Sequence, residues 1–410
     1  DLTNALIVHG GMLGMGLTTS ISYFAALVIM LLHFTKKDII FKFSLKNLKL
    51  RDLGEIIGTG SSSAVGSASA MLRNASLNQI MVASVLSSTA VAALGVVNTV
   101  LNFTSSTMLG VAMTTAMIAG MILGEQDRVA AEALIKVSVK TTIIVGAVLS
   151  ALLLIFADSI AGAFGSAEGA KMVSLAARGL RFYAVSIIFY GLNVVFINYT
   201  QGMRRMGISN IICFLDSFLF IVLPAFVLFG WLDTDAVWLA FIIGELLNLT
   251  TIIVSAAIKK RGLPFKAKDF LFLKEPFGVP DDDLMDFSVT EKSQIIPASE
   301  AVSEFCERKG ASPKESMMIS LFVEELSNNI VEFGFADKKK HSIDIRVIKL
   351  DKGWTLRIRD NCNQFDPTEW IKLHESEDPT SNIGIRMVCG MATDVKYLST
   401  MDLNNLTITI

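Results

Sequence analysis

Over its first 260 residues the chain alternates long apolar runs with short polar breaks, and beyond Gly262 that pattern stops. Seven runs stand out, at about 4–34, 53–80, 83–122, 134–158, 180–203, 207–231 and 236–258. Each reaches the roughly 20 mostly apolar residues that a bilayer crossing needs. Several exceed it, so tilted, kinked or protruding helices are expected. Residues 262–283 read as a linker, because Pro264, Pro276 and Pro280 limit regular structure and Asp281-Asp282-Asp283 favours solvent. Shorter periods follow. They predict a strand at Leu284–Val289, a helix near Glu291–Lys309 and a helix over Pro313–Phe333, with Ser312 as its cap and Pro313 in its first turn. Strands at Ser342–Leu350 and Trp354–Asp360 are joined by the turn Asp351-Lys352-Gly353. A helix near Gly384–Met391 and strands at Val395–Ser399 and Leu406–Ile410 complete the order. The expected fold is multi-domain: an all-α polytopic membrane bundle of about seven helices, then an α/β two-layer sandwich.

Composition sharpens the division. The chain is 52% hydrophobic and 18% charged, with a mean hydropathy of +0.54. Soluble domains average about a quarter charged residues, so the bilayer is a partner of the first half. No basic surface points to nucleic acid. The cysteines Cys213, Cys306, Cys362 and Cys389 are scattered and form no disulfide or zinc pattern, and His9, His33, His341 and His374 are dispersed. The start at Asp1 lacks a basic leader and a small-residue cleavage site, so it reads as an internal start rather than a signal peptide.

Charge in the breaks predicts orientation. Lys36 to Arg51 is strongly basic, and every second break after it is basic or mixed: Arg128 to Lys140, Arg204-Arg205, and Lys259 to Arg261. The intervening breaks, Arg73 to Met81, Asp158 to Glu168, and Asp233 with Asp235, are weakly charged. This places residue 1 outside and the C-terminal domain in the cytoplasm, where ATP is available.

Within the apolar runs, the small residues from Gly58 to Ser69 read as helix packing. Polar residues form stripes: Asn98, Asn102 and Ser105 on one face, then Glu245, Asn248 and Ser255 on another. Asp216, Tyr190 and Asn193 lie mid-run. An ionisable group at membrane depth is costly unless it meets water or a partner. Asp216 and Glu245 are therefore candidates for Na+ or H+ coupling, with interhelical hydrogen bonding as the alternative. Tyr190, Asn193, Asn98 and Asn102 join them as transport-pathway candidates.

In the second half, Glu325 and Asn329 share a helix face. A carboxylate there can accept a hydroxyl proton, and an amide oxygen beside it can ligate Mg2+. Asp360 ends a strand, where its carboxylate can accept a hydrogen bond from an adenine amino group. Gly384 opens a helix whose amides favour phosphate.

Two resemblances follow from these residues. The membrane half resembles the MATE (multidrug and toxic compound extrusion) branch of the multidrug/oligosaccharidyl-lipid/polysaccharide flippase superfamily. The residues that carry it are Ala90 to Gly95 leading to Gly110 and Gly124-Glu125-Gln126-Asp127, Leu180 to Tyr183 with Gln201-Gly202 and Arg204-Arg205, and Val237 to Ala240. The resemblance implies a two-lobe transporter. Residues 1–34 would be the last helix of an absent first lobe, 35–52 a cytoplasmic inter-lobe loop and 53–261 the second lobe. It also implies coupling carboxylates among Ser67 to Ala70 and near Tyr190 or Asn193, and this chain has none there.

Residues 284–410 resemble the GHKL ATP-binding fold, most closely the anti-sigma-factor serine kinases of bacteria. Glu325 to Asn329 with Phe333-Gly334-Phe335 look like the family's N-box, Asp360 to Pro367 like its first glycine box and Asn382 to Val388 like its second. Cys362 and Asn382 stand where glycines are usual. The resemblance implies ATP and Mg2+ as cofactors. Glu325 would be a catalytic base, Asn329 the Mg2+ ligand, and Asp360 the adenine reader, with Gly384 at the phosphates. A partner of the STAS type (anti-sigma antagonist) would receive the phosphoryl group. The leading expectation is a bacterial cytoplasmic-membrane, multi-pass efflux-type transporter of a small molecule, with an ATP-binding regulatory domain. A membrane-anchored protein serine/threonine kinase and a degenerate, protein-binding module stay open.

Overall fold

The computed structural model describes residues 11–32, 50–164, 169–274, 277–335, 340–350, 353–373, 383–400 and 403–410. The basic segment Lys36 to Lys49, the turn residues Asp351 and Lys352, and Asn382 lie outside them.

Helices form at all seven apolar runs: α1 (Gly11–Leu32), α2 (Leu50–Val82), α3 (Ser87–Glu125), α4 (Arg128–Phe164), α5 (Ala170–Gly202), the pair α6 (Met206–Phe214) and α7 (Phe220–Leu232), and α8 (Thr234–Lys260). A π-helical turn at Leu215–Leu219 joins α6 to α7. Among the described residues, five helices are long and apolar enough to cross a membrane: those of 87–124, 128–164, 170–202, 206–232 and 234–260. α2 has the length, but its Gly/Ser-rich sequence is less apolar. Some of those small residues pack, as expected, while Gly58, Gly60, Ser63 and Ser67 are exposed. Ser61 and Ser62 bond to Asn210 of α6, and a Cβ on Gly66 would stand 3.1 Å from the Cys213 sulfur.

Two expected breaks are helical instead, and a third begins inside a helix. Arg73 to Met81 form the last turns of α2, because Leu77 and Met81 are fully buried in the bundle core and hold the helix together. The break falls at the uncharged Ala83–Leu86. Arg128 to Lys140 open α4: Asp127 caps it by accepting the Ala130 amide at 2.8 Å, and Ala131, Leu134 and Ser138 face inward. Asp158 also lies within α4, paired with Arg181.

The expected linker is mostly irregular, and part of it docks on the bundle. Leu271, Leu273 and Phe277 are buried against Ala119, Ile122, Leu134, Tyr199 and Met203 at one end of the bundle. The Tyr199 hydroxyl donates to the Leu271 carbonyl at 3.0 Å, and Lys259 Nζ donates to that of Leu273 at 3.0 Å. Asp283 is also not fully solvated, since it pairs with Lys309 at 3.0 Å.

The second half is a five-stranded antiparallel sheet of order β1-β2-β3-β5-β4, built from β1 (Leu284–Val289), β2 (Ile343–Leu350), β3 (Gly353–Asp360), β4 (Asp394–Thr400) and β5 (Leu403–Thr409). α9 (Ile295–Arg308), α10 (Pro313–Gly334) and α12 (Ile383–Met391) cover one face. Alternation puts Ile343, Ile345, Val347, Leu356 and Ile358 against Val302, Phe322 and Val323. Ser312 caps α10 in a capping box with Glu315. α11 (Pro367–Leu373) was not expected; seven residues are too few to show a helical period.

Candidate nucleotide pocket, membrane carboxylates and the junction between them

Asn329 of α10 and Asp360 at the end of β3 meet in a cavity of about 530 Å3. Leu326, Ile330, Ile385 and Leu406 give it apolar walls, and Phe365, Pro367 and Trp370 stand at one side. Asp360 is buried. Its Oδ1 accepts from Asn404 Nδ2 at 2.8 Å and from the Cys362 amide at 2.9 Å, and no described residue donates to its Oδ2. Asn404 is held in turn by the Tyr397 hydroxyl, which donates to its Oδ1 at 2.8 Å. Burial keeps that phenol above its ordinary range. Sequence reasoning missed Asn404 and Tyr397. Asn404 faces Asp360 across the β3–β5 register, which no local pattern announces.

Glu325 and Gly384 do not line the cavity; they meet each other beside it. A Cβ on residue 384 would stand 2.1 Å from Glu325 Oε2, so the contact requires glycine. Cys362, where the GHKL resemblance has glycine, is accommodated by a second close approach. A Cβ on Gly334 would lie 2.7 Å from both Cβ and Sγ of Cys362. The residues present fit a nucleotide: a cavity in the usual ligand range, a buried carboxylate whose Oδ2 receives no hydrogen bond from the described residues, and an amide at the wall.

In the bundle, four predicted or striped residues come together. Asn193 Nδ2 donates to Glu245 Oε2 at 2.7 Å and to the Glu245 carbonyl at 3.0 Å, while Asn248 Nδ2 donates to Asp216 Oδ1 at 2.7 Å. All four are buried. Glu245 and Asn248 stand three residues apart on α8, so both carboxyl groups belong to one buried cluster. Tyr190 is half-buried on α5, three residues before Asn193. Asn98 and Asn102 do not join the cluster: Asn98 is half-buried and Asn102 is exposed on α3.

The two halves meet through charge. Asp286, Arg346 and Arg357 are neighbours across β1, β2 and β3 on the sheet face opposite the helices. Asp127, in the turn between α3 and α4, reaches that face. Its Oδ2 pairs with Arg346 Nη1 and lies 3.6 Å from Arg357 Nη1, and Arg346 Nη2 also pairs with Asp286. Asp127, Arg346 and Arg357 are only 4%, 5% and 6% exposed. Burial alone would lower the Arg346 pKa, but the two carboxylates outweigh it and hold the guanidinium above its ordinary range. Gly278, at φ +77°, brings the chain beside this turn, with its amide 3.4 Å from Gln126 Oε1.

Comparison with known proteins agrees with both halves. Residues 64–227 match the MatE family model, and residues 288–410 match that of the histidine kinase-like ATPase domain. Among solved structures, the fold is similar to the outward-facing conformation of a multidrug resistance MATE family transporter of the MOP superfamily, with 20% identity and a TM-score of 0.55 over 63% of this chain and 60% of that one. The inward-facing conformation of such a transporter gives 19% identity and a TM-score of 0.54 over 63% of this chain and 61% of that one. A MOP superfamily transporter from Pyrococcus furiosus gives 18% and 0.54 over 63% and 60%. The chain therefore spans about 60% of the length of these structures. No curated protein matches it significantly. The chain joins a MATE-fold membrane bundle to a histidine kinase-like ATPase domain.

Proposed function

We propose that this chain serves a membrane efflux-type transporter of small molecules whose conformational cycle is governed by its own ATP-binding domain. The observation that carries this reading is Asp127. A turn of the membrane bundle inserts a buried carboxylate between two arginines of the ATPase sheet. Like charges opposite each other on neighbouring strands repel, so the sheet face is complete only with the bundle's carboxylate in place. The nucleotide pocket opens on the other face of the same strand: Asp360 lies three residues beyond Arg357. A rearrangement of β3 at the pocket would therefore reach the junction directly. On this reading residues 53–261 are the second transport lobe, and 284–410 stand in the cytoplasm.

ATP supplies binding energy and a transferable phosphoryl group when bound. In this chain Leu326, Ile330 and Leu406 would seat the adenine with Asp360 as its acceptor, and Asn329 would help hold Mg2+. Glu325, beside Gly384, would be the group to take a proton from a serine or threonine hydroxyl. That contact favours a second reading, a protein kinase acting on a small STAS-type partner.

The test is substrate flux in proteoliposomes of the full chain, with and without Mg-ATP on the side of the ATPase domain. Flux should respond to Mg-ATP in the wild type and not in Asp360→Asn. Flux indifferent to Mg-ATP in the wild type would overturn nucleotide control.

A further inference from the structure

We propose that residues 261–268, which leave the last turn of α8, dock on the adjacent membrane leaflet. Leu263 and Phe265 enter the lipid, and Arg261, Lys266 and Lys268 bind anionic phospholipid headgroups. The proposal rests on α8 crossing the membrane, not on nucleotide control.

Apolar side chains held in an exposed position carry the argument. Leu263 is 67% exposed and Phe265 81% exposed, although Leu271 and Leu273, a few residues on, are buried against the bundle. The exposure is not slack chain. Asp269 Oδ2 accepts from the Phe265 and Lys266 amides, each at 3.0 Å, and from Lys260 Nζ at 2.7 Å. Lys260 Nζ also donates to the Leu263 carbonyl at 3.1 Å. These bonds close a turn that presents Phe265 outward before any partner arrives, which lowers the ordering cost of docking.

Position and charge name the occupant. α8 is long and apolar enough to cross a membrane, and Ile258, two residues before its end, is 73% exposed. Ile258, Leu263 and Phe265 thus carry one exposed apolar strip past the end of a membrane span. Exposed apolar strips rimmed by polar residues mark interaction surfaces. Residues 259–269 hold five cations and one carboxylate. That carboxylate is engaged by Lys260, while Arg261, Lys266 and Lys268 are exposed. Aromatic rings beside lysine and arginine hold a chain at headgroup depth, and clustered cations just beyond a span favour anionic lipid. An anionic leaflet supplies both the apolar layer and the negative charge at the end of α8 itself. Lipid contact here also steadies the chain on its way to the ATPase domain, because Leu271 follows Lys268 by three residues.

The test uses the full chain in lipid nanodiscs of phosphatidylcholine, alone or mixed with phosphatidylglycerol. Tryptic cleavage after Lys266 and Lys268 is scored by mass spectrometry against cleavage elsewhere in the ATPase domain. It should slow about ten-fold with phosphatidylglycerol. The protection should vanish in Leu263→Ser/Phe265→Ser, two changes at exposed positions. In Phe265→Trp, the emission added over wild type should be quenched by phosphatidylcholine brominated near the headgroup. Equal cleavage of the wild type in the two lipids, undiminished protection in the double variant, or an unquenched fluorophore would each overturn the proposal. Equal protection by free glycerol phosphate would assign a soluble phosphate site and overturn the lipid surface. Protection that persists in detergent would mean that protein covers the loop, and would overturn it too.

Discussion

Asp127 and Arg346 lie more than two hundred residues apart in sequence and pair in a buried contact that joins the membrane bundle to the ATPase sheet. Each already has a local task. Asp127 Oδ1 caps α4 and leaves Oδ2 for the arginines; Arg346 holds Asp286 with Nη2 and leaves Nη1 for Asp127. The junction thus uses both atoms of each terminus, one inward and one across.

Removing one partner of a buried ion pair strands the other charge. Asp127→Ala should destabilise the docked arrangement by about 3 kcal/mol. Limited proteolysis of residues 262–283 should accelerate, because Leu271 and Phe277 then lose their seat. A double-mutant cycle with Arg346→Ala should show coupling of about 1 kcal/mol or more; strict additivity would count against direct pairing.

Gly384→Ala places a methyl group where Glu325 Oε2 stands. The carboxylate must move, and transfer to a serine hydroxyl, if present, should fall by about ten-fold or more. Adenine-side binding should change little, which separates KM for ATP from kcat. Glu325→Gln should likewise keep ATP binding and lose transfer; an unchanged rate would remove Glu325 as base.

Gly334→Ala should cost about 2 kcal/mol of stability in the ATPase domain by overpacking against Cys362. Combining it with Cys362→Gly should recover most of that loss in denaturant titration. No recovery would mean that Cys362 is not what glycine 334 accommodates.

Tyr199→Phe removes the hydroxyl that donates to Leu271. The expected loss is about 1 kcal/mol, read as faster proteolysis of residues 262–283 with no change in ATP affinity.

Much of this was legible in the sequence. The apolar runs placed every helix of the bundle, and alternation placed every strand of the sheet. Asn329 and Asp360, singled out by spacing and resemblance, line one cavity, whereas Glu325 and Gly384 meet each other beside it. Charge misplaced the breaks at Arg73 and Arg128, because one polar residue on an otherwise buried face does not stop a helix whose neighbours, Leu77 or Ala131, are packed. Asp127 was visible only as part of a turn motif. Its partners Arg346 and Arg357 look like ordinary alternating surface residues until the sheet face is seen to be covered. Asn404 and Tyr397 were hidden because their tasks depend on strand register, which a single sequence does not display.

The most direct test is Mg-ATP titration calorimetry on the full chain, wild type against Asp127→Asn. If the junction couples the nucleotide pocket to the bundle, the two must differ in ATP affinity by about five-fold or more, since coupling between sites is reciprocal. Measurable binding with identical affinity would show that the ATPase domain is attached to the bundle without governing it.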